Sequence, residues 1–316
     1  MVVEIPNQLT EAASIAMAGA IEVQPILMSL ADTPIGTAYV RQGEGNPPVV
    51  LIHGFDSSLL EFRRLLPLLA AHTETWALDL LGFGFTQRST TIPPSPATIK
   101  THLYCCWKML IQRPMVLVGA SMGGAAAIEF TLTYPDCVSH LILIDSAGIQ
   151  GGAIPGGLLI PPLDKLATAF LRNPKVRQRI SINAYHDPSL ASSDALCCTS
   201  LHLTQPGWSE ALIAFTKSGG YGSFRHQLAQ IQQPTLILWG DRDRILGTAA
   251  ADRFRQAIPN STLIWIPQCG HVPHLEKPEV VAHHILGALD LNQPQACPAD
   301  ATGDAHTGKS ETPEPA

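Results

Sequence analysis

Four short, mostly apolar runs constrain this chain more than any other feature: PPVVLIH at 47–53, MVLVGA at 115–120, VSHLILID at 138–145 and TLILW at 235–239. Such runs show no regular polar face. They read as strands covered on both sides, which is how a parallel sheet sandwiched between helices is built. Further strands are predicted at 75–80 and 262–266, with helices at 98–111, 123–133 and 278–289. Strand and helix in alternation call for right-handed crossovers and place the chain in the α/β class. Two earlier strands, 23–30 and 36–41, flank the turn Asp32-Thr33-Pro34. The tetrapeptide Ser58-Leu59-Leu60-Glu61 has the form of a capping box, and Pro67 marks a kink or early end of the helix it would open.

The rhythm breaks between 146 and about 230. The stretch opens on Gly151-Gly152, Gly156-Gly157 and Pro161-Pro162, then carries helical patches at 163–171, 194–203 and 208–217. It reads as a helical cap inserted over the sheet, with the glycine- and proline-rich 151–162 as its hinge. The cap's apolar residues (Leu158, Leu159, Ile160, Leu163, Phe170, Leu212, Phe215) either line a pocket or pack the cap onto the sheet. The core is thus expected at 23–145 and 231–291, with a weak helix or loose leader at 1–22. Pro, Ala, Thr, Asp and Glu dominate 292–316, which reads as a disordered tail.

The 316 residues are 46% hydrophobic and 15% charged, enough to bury one large domain with an insertion. The net charge is −6 and no basic run occurs, which argues against nucleic acid or an anionic membrane surface as partner. The apolar stretch 12–21 is far shorter than the roughly 20 residues of a membrane span. No Lys or Arg precedes Arg41, so no targeting segment is read and the expected location is cytoplasmic. Seven cysteines include the adjacent pairs Cys105-Cys106 and Cys197-Cys198; neither has zinc-site spacing, and reduced thiols are expected.

The chemistry concentrates in a few places. Gly119-Ala120-Ser121-Met122-Gly123 is a G-x-S-x-G lying directly after a buried strand and before a helix. In that context Ser121 reads as a nucleophile. A serine hydroxyl needs a base, and His271, on the loop after the last strand, is the first candidate, with His274 as runner-up; His283 and His284 fall in the final helix. The orienting acid is Asp243, just past the strand 235–239, with Asp145 and Asp241 as rivals. Backbone donors for an oxyanion are expected from Met122 and Phe55. His53 reads as a structural hydrogen-bonding residue and Asp56 as a helix-capping or loop residue.

Taken together, HGF at 53–55, LDLLGFGFT at 78–86, GASMGG at 119–124, WGDRD at 239–243 and CGHVPHLEKPE at 269–279 resemble the α/β-hydrolase superfamily over about residues 23–290. HGFDSS followed by LDLLGFGFT is similar to cyanobacterial and chloroplast-type hydrolases of that fold. The resemblance implies a mostly parallel eight-stranded sheet flanked by helices, a helical cap after the sixth strand, and no cofactor or metal. It gives Asp79 a structural position without chemistry. Members with an Asp nucleophile hydrolyse epoxides or haloalkanes; Ser121 argues against both. The expected partner is a small-molecule substrate, apolar and small to medium in size, and the expected reaction is ester hydrolysis through an acyl-enzyme. Thioester, amide or C–C bond hydrolysis could use the same residues. Two other classes stay open: a small-molecule receptor with slow hydrolysis, and a non-catalytic relative. An isoprenoid or pigment ester follows only by association.

Overall fold

The computed structural model describes residues 8–150 and 161–290. The strands are β1 (Glu22–Ile26), β2 (Ile35–Gln42), β3 (Val49–Ile52), β4 (Thr75–Leu78), β5 (Met115–Ala120), β6 (Val138–Ile144), β7 (Thr235–Gly240) and β8 (Ser261–Ile266). They form one eight-stranded sheet in the order β1-β2-β4-β3-β5-β6-β7-β8. The pairs β1–β2 and β2–β4 are antiparallel, and the pairs from β4 to β8 are parallel. The helices are α1 (Ala12–Gly19), α2 (Leu66–Ala70), α3 (Pro96–Cys106), α4 (Met122–Thr133), α5 (Leu163–Arg172), α6 (Pro174–Ala184), α7 (Ser193–Ser200), α8 (Trp208–Lys217), α9 (Ala249–Ala257), α10 (Pro273–Glu276) and α11 (Pro278–Ala288). Helices α5 to α8 lie between β6 and β7 in the chain. They form a cap.

The apolar runs are buried for the expected reason. Alternate residues of β5 enter different cores: Met115 and Leu117 one, Val116 and Val118 the other. Each fully buried side chain of this size contributes about 1.5–3 kcal/mol. The hinge expected at 151–162, apart from its last two residues, and the tail expected at 292–316 lie outside the described residues. The six described cysteines are free thiols. Among the described residues, no helix is long and apolar enough to cross a membrane.

Three segments differ from the reading above. Ser58 makes no capping hydrogen bond: Leu59–Phe62 is a single 3₁₀ turn. The Glu61 N–H that the cap would serve goes to the Ser58 carbonyl at 2.9 Å, and the Leu59 N–H goes to Asp79 Oδ1 at 2.6 Å. Pro67 lies in the first turn of α2, where a missing N–H costs nothing. Helix α6 has no clear apolar stripe, which is why periodicity missed it, yet its start signals are present. Pro174 opens it, and Asn173 Oδ1 accepts the Lys175 N–H at 2.9 Å. Finally, the weak helix at the chain's start is anchored. Buried Asp194 of the cap accepts from Thr10 N (2.5 Å), Glu11 N (2.9 Å) and Ser14 Oγ (2.5 Å). Glu11 in turn pairs with Arg64 at 2.6 Å.

Two outcomes follow for stability. Asp194→Ala leaves those donors without their acceptor; it should cost about 1–3 kcal/mol in chemical denaturation and speed amide exchange in α1. The second concerns His102 of α3, buried with Nε2 2.7 Å from Thr37 Oγ1. Burial lowers it from 6.5 to about 4, so it is neutral in the fold. A depressed folded value means its contribution is complete above about pH 6.5 and is lost as pH falls through about 4. In His102→Gln the fall of the unfolding free energy from urea titrations across that window should lose up to one proton's slope, about 1.4 kcal/mol per pH unit.

Candidate active site

Strand β5 ends at Ala120 and α4 begins at Met122, so Ser121 alone makes the turn between them. Its φ of 52° and ψ of −119° lie where a residue with a Cβ is strained by about 1–3 kcal/mol. The Ser121 N–H donates to the Ile144 carbonyl at 3.0 Å, fastening the turn to β6. A Cβ at Gly119 would lie 2.3 Å from the Gly123 carbonyl oxygen, and one at Gly123 would lie 2.2 Å from that of Ile52. Both glycines are therefore needed for α4 to seat against the sheet. Ser121 is left at the C-terminal edge of the sheet and the N-terminus of a helix.

Asp243 and His271 arrive on the loops after β7 and β8. Asp243 Oδ1 accepts the N–H groups of Ile245 (2.7 Å) and Leu246 (3.1 Å). Its Oδ2 is 3.0 Å from His271 Nδ1, and His271 Nε2 is 3.0 Å from Ser121 Oγ. Burial pushes the Asp243 carboxyl up, but hydrogen bonding to His271 and to those two amides holds it below the usual carboxylate range. An ionised acceptor at Nδ1 keeps the proton there and turns the Nε2 lone pair toward the serine hydroxyl.

The rivals go elsewhere. Both Asp145 oxygens accept the Gly240 N–H, at 3.1 and 3.3 Å. Burial and the neighbouring Asp243 charge push Asp145 well above the carboxylate range. Asp241 Oδ1 accepts the Cys269 N–H at 3.3 Å and shapes the turn. His274 is buried beside Phe62, with Nε2 3.0 Å from Glu61 Oε1. Carboxylate and ring atoms of Asp145, Asp243 and His271 lie within 4.8 Å of one another. Both His271 nitrogens are already engaged by Asp243 and Ser121, an arrangement suited to proton transfer.

The loop after β3 carries Phe55. His53 is fully buried, and burial lowers it to about 4. The neutral ring fits its partners: Nε2 accepts the Leu80 N–H at 3.2 Å, and Nδ1–H donates to the Gly54 carbonyl at 2.8 Å. The Gly54 N–H donates to Glu61 Oε2 at 3.1 Å. Burial would raise Glu61, but the pairing with His274 and the contributions of Ser57 and His53 together outweigh it, and Glu61 sits at about 2. Met122 is the first residue of α4, whose leading amides have no partner within the helix.

Asp56 lies on the loop after β3, one of the two places expected, and it caps no helix. Its carboxylate accepts from Arg177 Nη2 in α6, Trp208 Nε1 in α8 (2.8 Å) and His202 Nε2 between α7 and α8 (3.3 Å). Burial pushes it up, yet these partners hold it low and ionised. Glu276 was also missed: it accepts the N–H groups of Gly270 (2.7 Å), His186 (3.0 Å) and Asp187 (2.8 Å). Nothing in local spacing links these carboxylates to partners so distant in sequence. The one available signal was the oddity of a charge at position 56, next to the expected oxyanion donor.

Two cavities meet at Ser121, and Phe55 and Ile245 border both. One, of about 460 Å³, is walled mainly by apolar groups: Met122, Ile149, Phe215, Tyr221 and Leu246. The other, of about 290 Å³, is also mainly apolar in its walls, with Leu171, Ile180 and Leu275 beside Asp56, Arg177 and His271. Of the cap residues named earlier, Phe215 lines the larger cavity and Leu212 is buried. Leu163 and Phe170 do neither: they are 54% and 63% exposed, on the outer side of α5. Leu158, Leu159 and Ile160 lie outside the described residues.

The comparisons with known proteins agree with this architecture. The Alpha/beta hydrolase family model matches residues 49–284. The Alpha/beta hydrolase domain-containing protein VTE7 of Arabidopsis thaliana is 36% identical over 234 residues, 73% of this chain and 71% of its own. The 2-hydroxy-6-oxo-2,4-heptadienoate hydrolase of Pseudomonas putida is 30% identical over 244 residues, 74% of this chain and 86% of its own. The crystal structure of the CarC enzyme, a serine hydrolase involved in carbazole degradation, matches with a TM-score of 0.72 at 25% identity, covering 86% of this chain and 100% of that one. The sheet order, the position of the cap and these matches agree, and the chain belongs to the Alpha/beta hydrolase family.

Proposed function

We propose that this hydrolase cleaves carboxylic esters through an acyl-enzyme. The observation that carries the reading is the unbroken line from Ser121 Oγ through the His271 ring to Asp243, with both links at 3.0 Å. Ser121 Oγ attacks the ester carbonyl as His271 Nε2 takes its proton. The Phe55 and Met122 amides receive the oxyanion. Collapse breaks the bond to the leaving oxygen, which takes the proton back from His271. Water, deprotonated by the same nitrogen, then releases the acid and restores Ser121. Asp243 holds the imidazole in the needed tautomer and stabilises the imidazolium. The larger cavity suits a bulky apolar arm of the substrate, and the smaller one suits a compact arm.

A second reading is cleavage of a C–C bond next to a carbonyl, favoured by the likeness to the Pseudomonas putida heptadienoate hydrolase. The first step is the same. The leaving group is then a carbanion, which the substrate itself must stabilise.

A fluorophosphonate probe should label Ser121 in the wild type and leave Ser121→Ala unmodified, as read by peptide mass spectrometry. A folded wild type that neither labels nor hydrolyses any p-nitrophenyl ester of two to twelve carbons would sink the enzyme reading. The two buried aspartates should separate cleanly. Asp243→Asn should lower kcat roughly 100- to 10,000-fold, because the imidazole loses its orienting anion. Asp145→Asn should lower it less than about tenfold, since Asp145 bonds a backbone amide and does not hold the ring. An inverted order would pass the acid's role to Asp145.

A further inference from the structure

Cap helix α6 is fastened at both ends, and each end meets a different part of the site. Near its start, Arg177 commits its whole guanidinium: Nε to the Leu171 carbonyl (3.1 Å), Nη1 to the Thr199 carbonyl (3.0 Å) and Nη2 to the Asp56 carboxylate. At its end, the Ala184 carbonyl accepts the backbone N–H of His271 at 2.7 Å. Just beyond, His186 and Asp187 donate to Glu276, which also holds Gly270 beside His271. A helix keeps its length, about 1.5 Å per residue, so these two anchor points are held at a fixed separation.

Asp56 follows Phe55 directly. Its φ is +50°, a conformation that a residue with a side chain keeps only when its surroundings enforce it. Here the enforcement comes from the cap. Arg177 takes one carboxylate oxygen, and Trp208 and His202 take the other. A buried anion is costly unless fully bonded, so this geometry tolerates little displacement of either side.

We propose that Asp56 is a positioning residue for hydrolysis: gripped by Arg177, it fixes the loop that presents the Phe55 amide, so that α6 joins the oxyanion loop and the His271 loop into one unit. The proposal rests on the serine-hydrolase reading above. It assigns the cap a part in the chemical step, beyond enclosing the substrate.

The test uses the full chain with Asp56→Asn, Arg177→Met and Arg177→Lys, each checked for wild-type far-UV circular dichroism. Four quantities are measured: kcat and KM on p-nitrophenyl hexanoate, and the affinities for a matching trifluoromethyl ketone and for its ether isostere. The ketone adds Ser121 and places an oxyanion in the hole, whereas the ether has no carbonyl. Asp56→Asn and Arg177→Met should lower kcat about 10- to 100-fold, as expected when a reacting geometry slips by a fraction of an ångström to an ångström. KM should stay within about threefold, the pattern of an interaction realised in the transition state. Ketone affinity should fall in parallel with kcat, ether affinity should hold, and Arg177→Lys should recover part of the loss. A folded Asp56→Asn with wild-type kcat overturns the proposal. So does equal loss of ketone and ether binding, which would make Asp56 a shaper of the cavity alone. If Asp56→Asn fails to fold, the two Arg177 variants decide by the same readouts; if none folds, Asp56 is a structural anchor and the proposal fails. A wild type that neither labels nor turns over overturns the hydrolase reading and this proposal with it, whereas a labelling wild type beside an unimpaired Asp56→Asn overturns this proposal alone.

Discussion

The strained turn at Ser121 persists because three strands and a helix hold it from different sides. Its N–H is taken by β6, the carbonyl of Ile52 in β3 lies against Gly123, and α4 seats on β5. A residue with a side chain at φ 52° relaxes unless its neighbours forbid it. The neighbours here are among the most deeply buried parts of the molecule, strands whose alternate side chains enter two separate cores. The sheet's stability is thus what keeps one hydroxyl raised at its edge. The loops bearing Phe55, Asp243 and His271 are arranged around that fixed point.

Buried acidic side chains brace those loops and the turns beside them. Asp79 bonds the N–H groups of Leu59 and Phe85, each at 2.6 Å. Glu61 bonds Gly54, Asp243 bonds Ile245 and Leu246, and Glu276 bonds three amides from two loops. A carboxylate can accept several amides at once, so one side chain organises an irregular turn that has no ladder of its own. Burial opposes the charge of Asp79, Glu61 and Asp243, and the outcome depends on the partners. Glu61 ends at about 2, while Asp79 is pushed up to about 7 despite its two amides.

Much of this was legible in the chain. The apolar runs located β3, β5, β6 and β7, because strands buried on both faces have little freedom in composition. The G-x-S-x-G located the nucleophile candidate, because close approach at Gly119 and Gly123 excludes other residues. His271 and Asp243, expected on the last two strand-end loops, are the residues the structure brings to hydrogen-bond distance of Ser121 and of each other. What stayed hidden was long-range pairing. Asp56 with Arg177, Glu276 with His186, and Asp194 with Ser14 join residues far apart in sequence, and no local period records such pairs. Helix α6 escaped because its amphipathic pattern is weak and its role is polar. Glu61 was misread because a capping box and a buried ligand for Gly54 share the same letters.

The two cavities at Ser121 are unequal in size, and this gives the site a handedness. A flexible ligand with one bulky and one compact arm would have a single comfortable way to lie across Ser121, with Phe55 at the divide. His271 borders the smaller cavity, so its ring stands on one side of the serine only. For a chiral ester the two mirror forms would present opposite faces of the stereocentre to that ring. A preference for one enantiomer would then be a property of the architecture, arising from the asymmetry of the walls without any dedicated stereochemical contact.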